Sequence, residues 1–129
     1  MARILIVEDN PDNMKLFTAI LGHYGHEVTG LVSGEGLAEA LDNVKPELVL
    51  MDIQLPGRDG FELLAEIRKS RWAAVRILAL TAHAMTGDRE KARQAGFDDY
   101  ITKPIDIASF PTDVARALAG QPLDRQEPR

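Results

Sequence analysis

Five short, largely apolar runs punctuate the chain, and the longer stretches between them carry apolar residues at three- and four-residue spacing. The runs are Arg3 to Val7 (RILIV), Val28 to Val32, Glu47 to Asp52, Val75 to Leu80 and Asp99 to Thr102. Runs of this length, rich in β-branched and aliphatic residues, predict strands. The first stretch between them opens with Asn10-Pro11, an N-cap residue followed by proline at the first helical position. Phe17, Ile20, Leu21 and Tyr24 then recur on one helical face, and Gly22 and Gly25 mark the end. Ser33 can cap a second helix to about Asn43, although Gly34 and Gly36 weaken its first turn. Asp59, with Glu62 three residues on, resembles a capping box and opens a third helix ending near Lys69. A weakly apolar fourth helix is expected from about Thr86 to Ala95. A fifth reaches about Leu118. Its natural start after Asp106 would put Pro111 in the second turn, so it either begins later, capped by Ser109, or is kinked.

Strand and helix alternate five times, and the strands are continuously apolar rather than alternating. Parallel strands covered by helices on both faces have that pattern. A doubly wound, three-layer α/β domain follows. It is expected over residues 1–119, with a polar, Pro-bearing, frayed tail over 120–129.

Composition narrows the setting. At 129 residues there is room for one domain. No apolar stretch approaches the ~20 residues of a membrane span, and no basic-then-apolar signal segment opens the chain, so the cytoplasm is the expected compartment and no membrane partner is expected. The absence of cysteine excludes disulfides and thiolate metal sites. A net charge of −5 disfavours a nucleic-acid partner.

In such sheets ligands bind outside the carboxyl ends of the strands. Those ends carry Glu8-Asp9, Asp52, Thr81 and Lys103. If the strand order is 2-1-3-4-5, these groups converge. Three carboxylates in one cleft repel one another. A hard, oxygen-seeking cation such as Mg²⁺ relieves that repulsion, with Mn²⁺ able to take its place. Lys103 adds a positive charge and Thr81 a hydroxyl donor. Such a site suits a phosphoryl group, and aspartate can itself be the nucleophile. Asp52, in ELVLMDIQLPG, is central. Each residue alone has an ordinary reading as a turn, strand-edge or solvated side chain. Their coincidence at the ends of four different strands carries the argument. There is no glycine-rich phosphate loop.

These motifs, Glu8-Asp9, LMDIQLPGRDG at 50–60, LTAHAM at 80–85 and GFDDYITKPI at 96–105, resemble those of the CheY-like receiver domains of two-component response regulators. The resemblance spans about Arg3 to Leu118. ILIVEDNPDNMKLF and MDIQLP most resemble the single-domain DivK type. It implies the flavodoxin-like sheet order 2-1-3-4-5 and a phosphoacceptor switch that catalyses only its own phosphorylation and dephosphorylation. Asp52 would accept a phosphoryl group from a histidine kinase or histidine phosphotransfer protein. Asp9, Asp52 and the Gln54 backbone carbonyl would hold Mg²⁺, with Glu8 acting through water. Thr81 and Lys103 would hold phosphoryl oxygens, Tyr100 would be the aromatic switch, and the Lys103–Pro104 bond would be cis. A monomer is expected that signals through a downstream protein or a relay.

Gln54 and His83, two residues beyond Asp52 and Thr81, are candidate modulators of phosphoryl lifetime. Met14 and Leu16 on the first helix are candidates for docking the histidine donor, against ordinary packing at the core edge. His23 and His26 read as turn residues and Trp72 as a loop cover. Two other functions fit the residues less well. A Mg²⁺-dependent aspartyl-phosphate hydrolase needs a second Asp where Gln54 stands, and a phosphorylation-independent adaptor would not need the acidic set.

Overall fold

The five apolar runs form one parallel sheet in the order β2-β1-β3-β4-β5. The computed structural model describes residues 2–55, 57, 60–82 and 88–123. The strands are β1 (Arg3–Val7), β2 (Glu27–Leu31), β3 (Leu48–Asp52), β4 (Arg76–Thr81) and β5 (Asp99–Thr102). The helices are α1 (Pro11–His23), α2 (Leu37–Val44), α3 (Gly60–Arg68), α4 (Asp88–Ala95) and α5 (Phe110–Leu118). The expected fold class and strand order are therefore observed.

The sheet divides two apolar layers. On one side Leu5, Val7, Val49, Met51, Ile77 and Ala79 meet α2, α3 and α4 through Leu37, Leu41, Leu63, Leu64, Ile67 and Ala92. On the other side Ile4, Ile6, Leu48, Leu50, Leu78, Leu80 and Ile101 meet α1 and α5 through Phe17, Leu21, Phe110, Val114 and Ala117. All five residues of β3 are buried. That is why its sequence carries no polar alternation before Asp52.

Several boundaries differ from expectation for physical reasons. α2 starts at Leu37 rather than near Ser33. Ser33 Oγ accepts the local Glu35 N–H, 3.2 Å, and Gly36 stands at the N-cap with φ +78°, a conformation that glycine adopts readily. Gly34 is in turn pressed by Leu63, whose Cδ2 would lie 2.7 Å from an added Cβ. β2 lies one residue earlier than Val28 to Val32, and Val32 is exposed. β4 lies one residue later than Val75 to Leu80. α5 takes the later of the two starts. It begins at Phe110, so Pro111 falls in the first turn, where its missing N–H has no helical partner to lose. The Ser109 side chain makes no capping hydrogen bond. α1 is capped as its sequence predicts, with Asn10 Oδ1 accepting the Asn13 N–H at 2.9 Å. The Asp59 cap and the residues preceding Asp88 lie outside the described residues.

The expected fraying from Gly120 onward is corrected for 121–123. Leu123 is buried in the α1–α5 layer, and its N–H donates to Asp99 Oδ2 at 3.3 Å. Arg116 Nε also donates to the Pro122 carbonyl, 2.8 Å. Burial of Leu123 anchors the stretch 121–123.

Candidate phosphoryl-acceptor site

Strand register brings the chemistry together. Val7 lies beside Met51, and Asp52 beside Leu80. The ladder continues one residue beyond the strands on each side of the cleft. Glu8 N–H donates to Leu31 O at 2.9 Å, Ile53 N–H to Leu80 O at 3.1 Å and Lys103 N–H to Thr81 O at 2.7 Å. Glu8, Asp52, Thr81 and Lys103 thus emerge at one edge of the sheet, held by backbone rather than by flexible loops.

The polar groups are nearly closed off from solvent. Glu8 is 0% exposed, Asp52 3% and Thr81 7%. Asp9, the neighbour of Glu8, is exposed. Oxygens of Glu8, Asp9 and Asp52 lie within 4.8 Å of one another. Lys103 Nζ bridges the two buried acids, 2.8 Å from Asp52 Oδ2 and 2.9 Å from Glu8 Oε1. The two contacts differ in kind. The Asp52 contact is a directed hydrogen bond. Glu8 Oε1 makes a charge contact and has no hydrogen-bond partner among the described residues. The remaining carboxylate oxygens are held by backbone. Gln54 N–H donates to Asp52 Oδ1 at 2.9 Å, and Asn10 N–H donates to Glu8 Oε2 at 3.1 Å.

Electrostatics follow from this arrangement. Burial pushes the Glu8 carboxyl above its ordinary range, and the charge of Asp52 pushes the same way. Lys103 and the Asn10 N–H oppose them without prevailing. Burial alone would lower the Lys103 ammonium. The hydrogen bond to Asp52 and the nearby charges of Asp52 and Glu8 outweigh it, and its pKa is raised. The site therefore has a surplus of negative charge, fixed geometry and one buried oxygen lacking a directed donor. These features fit a hard divalent cation on Asp9 and Asp52 with Glu8 behind them.

Of the other predicted residues, Gln54 has an exposed side chain, and its backbone N–H orients Asp52. Tyr100 is buried, and its ring lies in the layer that also holds Ala92 and Phe97. The Lys103–Pro104 peptide is cis. His83 lies outside the described residues. Met14 is half-buried over β2, where its Sδ would lie 2.8 Å from a Cβ at Gly30, while Leu16 is exposed. Outside the site, Trp72 covers the α2–α3 layer, its Nε1 donating to Asp42 at 2.8 Å. His26 is half-buried, with Nδ1 accepting the Ala2 N–H at 3.1 Å. The anchoring roles of the Asn10 and Gln54 backbone amides had no signal in residue identity. Any residue other than proline supplies an N–H, and only the fold decides where it points.

A parallel sheet of this order, with an acidic cleft and a bridging lysine at its carboxyl edge, is the architecture of a phosphoacceptor receiver. The model of the response regulator receiver domain matches residues 4–115, and the chain belongs to that family, the phosphoacceptor modules of two-component signalling. Among its relatives, the PilH protein of Pseudomonas aeruginosa is 37% identical over 122 residues, 93% of this chain and 100% of PilH. The polar-differentiation response regulator DivK of Brucella ovis is 41% identical over 111 residues, 83% of this chain and 88% of DivK. The sensor protein GacS of Pseudomonas syringae is 42% identical over 109 residues, and there the match spans 80% of this chain and only 12% of the sensor. The receiver domain of a sensor histidine kinase from Pseudomonas aeruginosa, solved with a magnesium ion coordinated in its active-site cleft, superimposes with a TM-score of 0.81 at 37% identity. That match covers 92% of this chain and 98% of the other. Among the described residues no helix is long and apolar enough to cross a membrane.

Proposed function

We propose that Asp52 is the phosphoacceptor of this response regulator receiver, taking its phosphoryl group from a phosphohistidine on a kinase or phosphotransfer protein. The observation that carries the reading is the Lys103 ammonium held between Asp52 and the fully buried Glu8, with the Gln54 N–H fixing the other Asp52 oxygen. An Asp52 oxygen attacks phosphorus, the O–P bond forms and the P–N bond to the donor imidazole breaks. The leaving imidazole retains the nitrogen electron pair. Two fixed contacts hold the carboxylate in one orientation, which lowers the entropic part of the barrier.

Lys103 is placed to follow the charge. Its ammonium has three donors and makes one directed bond to Asp52, so it can turn toward an incoming phosphoryl oxygen without leaving Glu8. Thr81, on the neighbouring strand end, offers a hydroxyl to a second oxygen. Asp9 and Asp52, with the Gln54 carbonyl and Glu8 behind them, would hold Mg²⁺, which when bound neutralises phosphoryl charge. The same residues would govern loss of the phosphoryl group to water, with Gln54 and His83 tuning that rate. Drawing Thr81 toward the phosphoryl group changes the packing against which the buried Tyr100 ring rests, giving the two-state element that a partner reads. Leu16 and Met14 on α1 are proposed to meet the histidine donor. Output goes to a downstream protein or along a relay, with the chain acting in the cytoplasm as a monomer.

The test is phosphoryl uptake from acetyl phosphate. Wild type with Mg²⁺ is expected to gain one acid-stable, base-labile phosphoryl group, and chelation of the metal or Asp52→Asn should abolish the gain. Equal labelling of Asp52→Asn would overturn the assignment.

A further inference from the structure

A cavity of about 190 Å³ opens to solvent between α3 and α4, immediately beside the acceptor site. Its floor is made by Thr81 and Tyr100, both buried. Ile53, Phe61 and Ala92 supply apolar walls. Phe61 stands at the rim, 40% exposed, braced edge-on against Phe97 with ring centroids 5.6 Å apart. The polar rim is made by Gln54 and Lys91, and Lys91 has no ion-pair partner among the described residues.

Size and charge specify what fits. An apolar cavity of ~150 Å³ is enough to take a benzene molecule, so this one admits a phenyl ring. An exposed aromatic at the mouth favours a second ring in an edge or offset arrangement. An ammonium at the rim with no counter-ion among the described residues favours a carboxylate attached close to that ring. We propose that the α3–α4 cavity is a docking pocket for a partner protein segment that inserts a phenylalanine-like ring flanked by an acidic side chain. The surface opening, with Phe61, Gln54 and Lys91 around it, suits a ring presented on a chain. Because Thr81 and Tyr100 form the floor, phosphorylation changes the pocket from beneath, and occupancy is coupled to the state of Asp52. The coupling, though not the pocket itself, rests on the phosphoacceptor reading above.

The probes are three blocked dipeptide amides, acetyl-glutamyl-phenylalanine, acetyl-lysyl-phenylalanine and acetyl-glutamyl-alanine. Each is titrated into the full ¹⁵N-labelled chain, with and without Mg²⁺ and beryllium fluoride as phosphoryl mimic. Saturable amide shifts confined to Ile53, Phe61, Ala92 and Tyr100 are expected with the glutamyl-phenylalanine probe. Replacing its ring by a methyl should weaken binding about tenfold or more, the contribution of a buried aromatic. Replacing its glutamate by lysine should weaken binding about threefold, the contribution of one exposed ion pair. Lys91→Glu, on an exposed position that leaves the fold intact, should reverse that charge preference. The mimic should change affinity for the wild type. Absence of saturable shifts, shifts scattered away from the cavity, or an unchanged preference in Lys91→Glu would overturn the pocket. An affinity that ignores the mimic would overturn the coupling. Failure of Asp52 to take a phosphoryl group would sink the acceptor reading while the mimic-free titrations still decide the pocket.

Discussion

Replacing Lys103 by methionine keeps most of the aliphatic stem and removes the ammonium that bridges Asp52 and Glu8. Both contacts are under 3 Å, at 2.8 and 2.9 Å, and the two carboxylates are 3% and 0% exposed. Removing one partner of a buried ion pair costs roughly 3–5 kcal/mol, because the other charge is left uncompensated. Lys103 retains 18% side-chain exposure, so the low end applies, about 3 kcal/mol near neutral pH. The pH dependence has a definite sign. The raised Lys103 pKa means that its stabilisation is whole below the ordinary value of 10.5 and is lost only as pH rises through the folded value. Glu8 works in the opposite sense. Its raised carboxyl pKa destabilises the fold at neutral pH, and that cost is relieved as pH falls toward the ordinary 4.5. Without Lys103, Glu8 takes up its proton at higher pH, so the variant's deficit should shrink on acidification. Urea unfolding followed by circular dichroism, in the absence of divalent cations, gives the deficit directly. A Lys103→Met protein within about 1 kcal/mol of wild type at neutral pH, or a deficit that does not shrink on acidification, would refute the reasoning.

Three further outcomes test the packing of the fold. Gly60→Ala should lose about 1–3 kcal/mol in urea, because the new Cβ would lie 2.7 Å from the Asp52 carbonyl and 2.8 Å from Ile53 Cα; unchanged stability would mean that α3 can retreat from β3. Leu123→Ala should cost about 2 kcal/mol, the lower end for a buried leucine, whereas a frayed tail would give no change. Neutral His26 accepts the Ala2 N–H, and burial holds its pKa below the ordinary 6.5. Stability should therefore fall as pH drops through 6.5 toward the folded value, and a urea midpoint in His26→Gln that falls as steeply as wild type would contradict this.

The strands that carry the site were legible because helices cover both sheet faces there, so each had to be largely apolar and its polar end stood out. Asp52 after LVLM, Thr81 after ILAL and Lys103 after YIT are visible for that reason. The start of α2 was not legible, because the packing of Leu63 against Gly34 is a long-range contact that overrides the cap signal of Ser33. The docking of 121–123 was hidden by polar neighbours, since burial of Leu123 depends on where α5 ends. The residues of the candidate site could be named from the sequence, but their mutual arrangement could not. That Lys103 bridges Glu8 and Asp52, that Glu8 is wholly enclosed, and that Lys91 borders a cavity above Thr81 and Tyr100 are consequences of register and helix placement.

The central claim is a covalent one, and covalent trapping tests it most directly. Borohydride reduces an aspartyl phosphate to homoserine, so a chain treated with acetyl phosphate and Mg²⁺, then reduced and digested, reveals the acceptor by its position. Homoserine at residue 52, and its absence after chelation of the metal, is the predicted result. Homoserine at Asp9 or elsewhere with Asp52 intact, or none at all, would contradict the account.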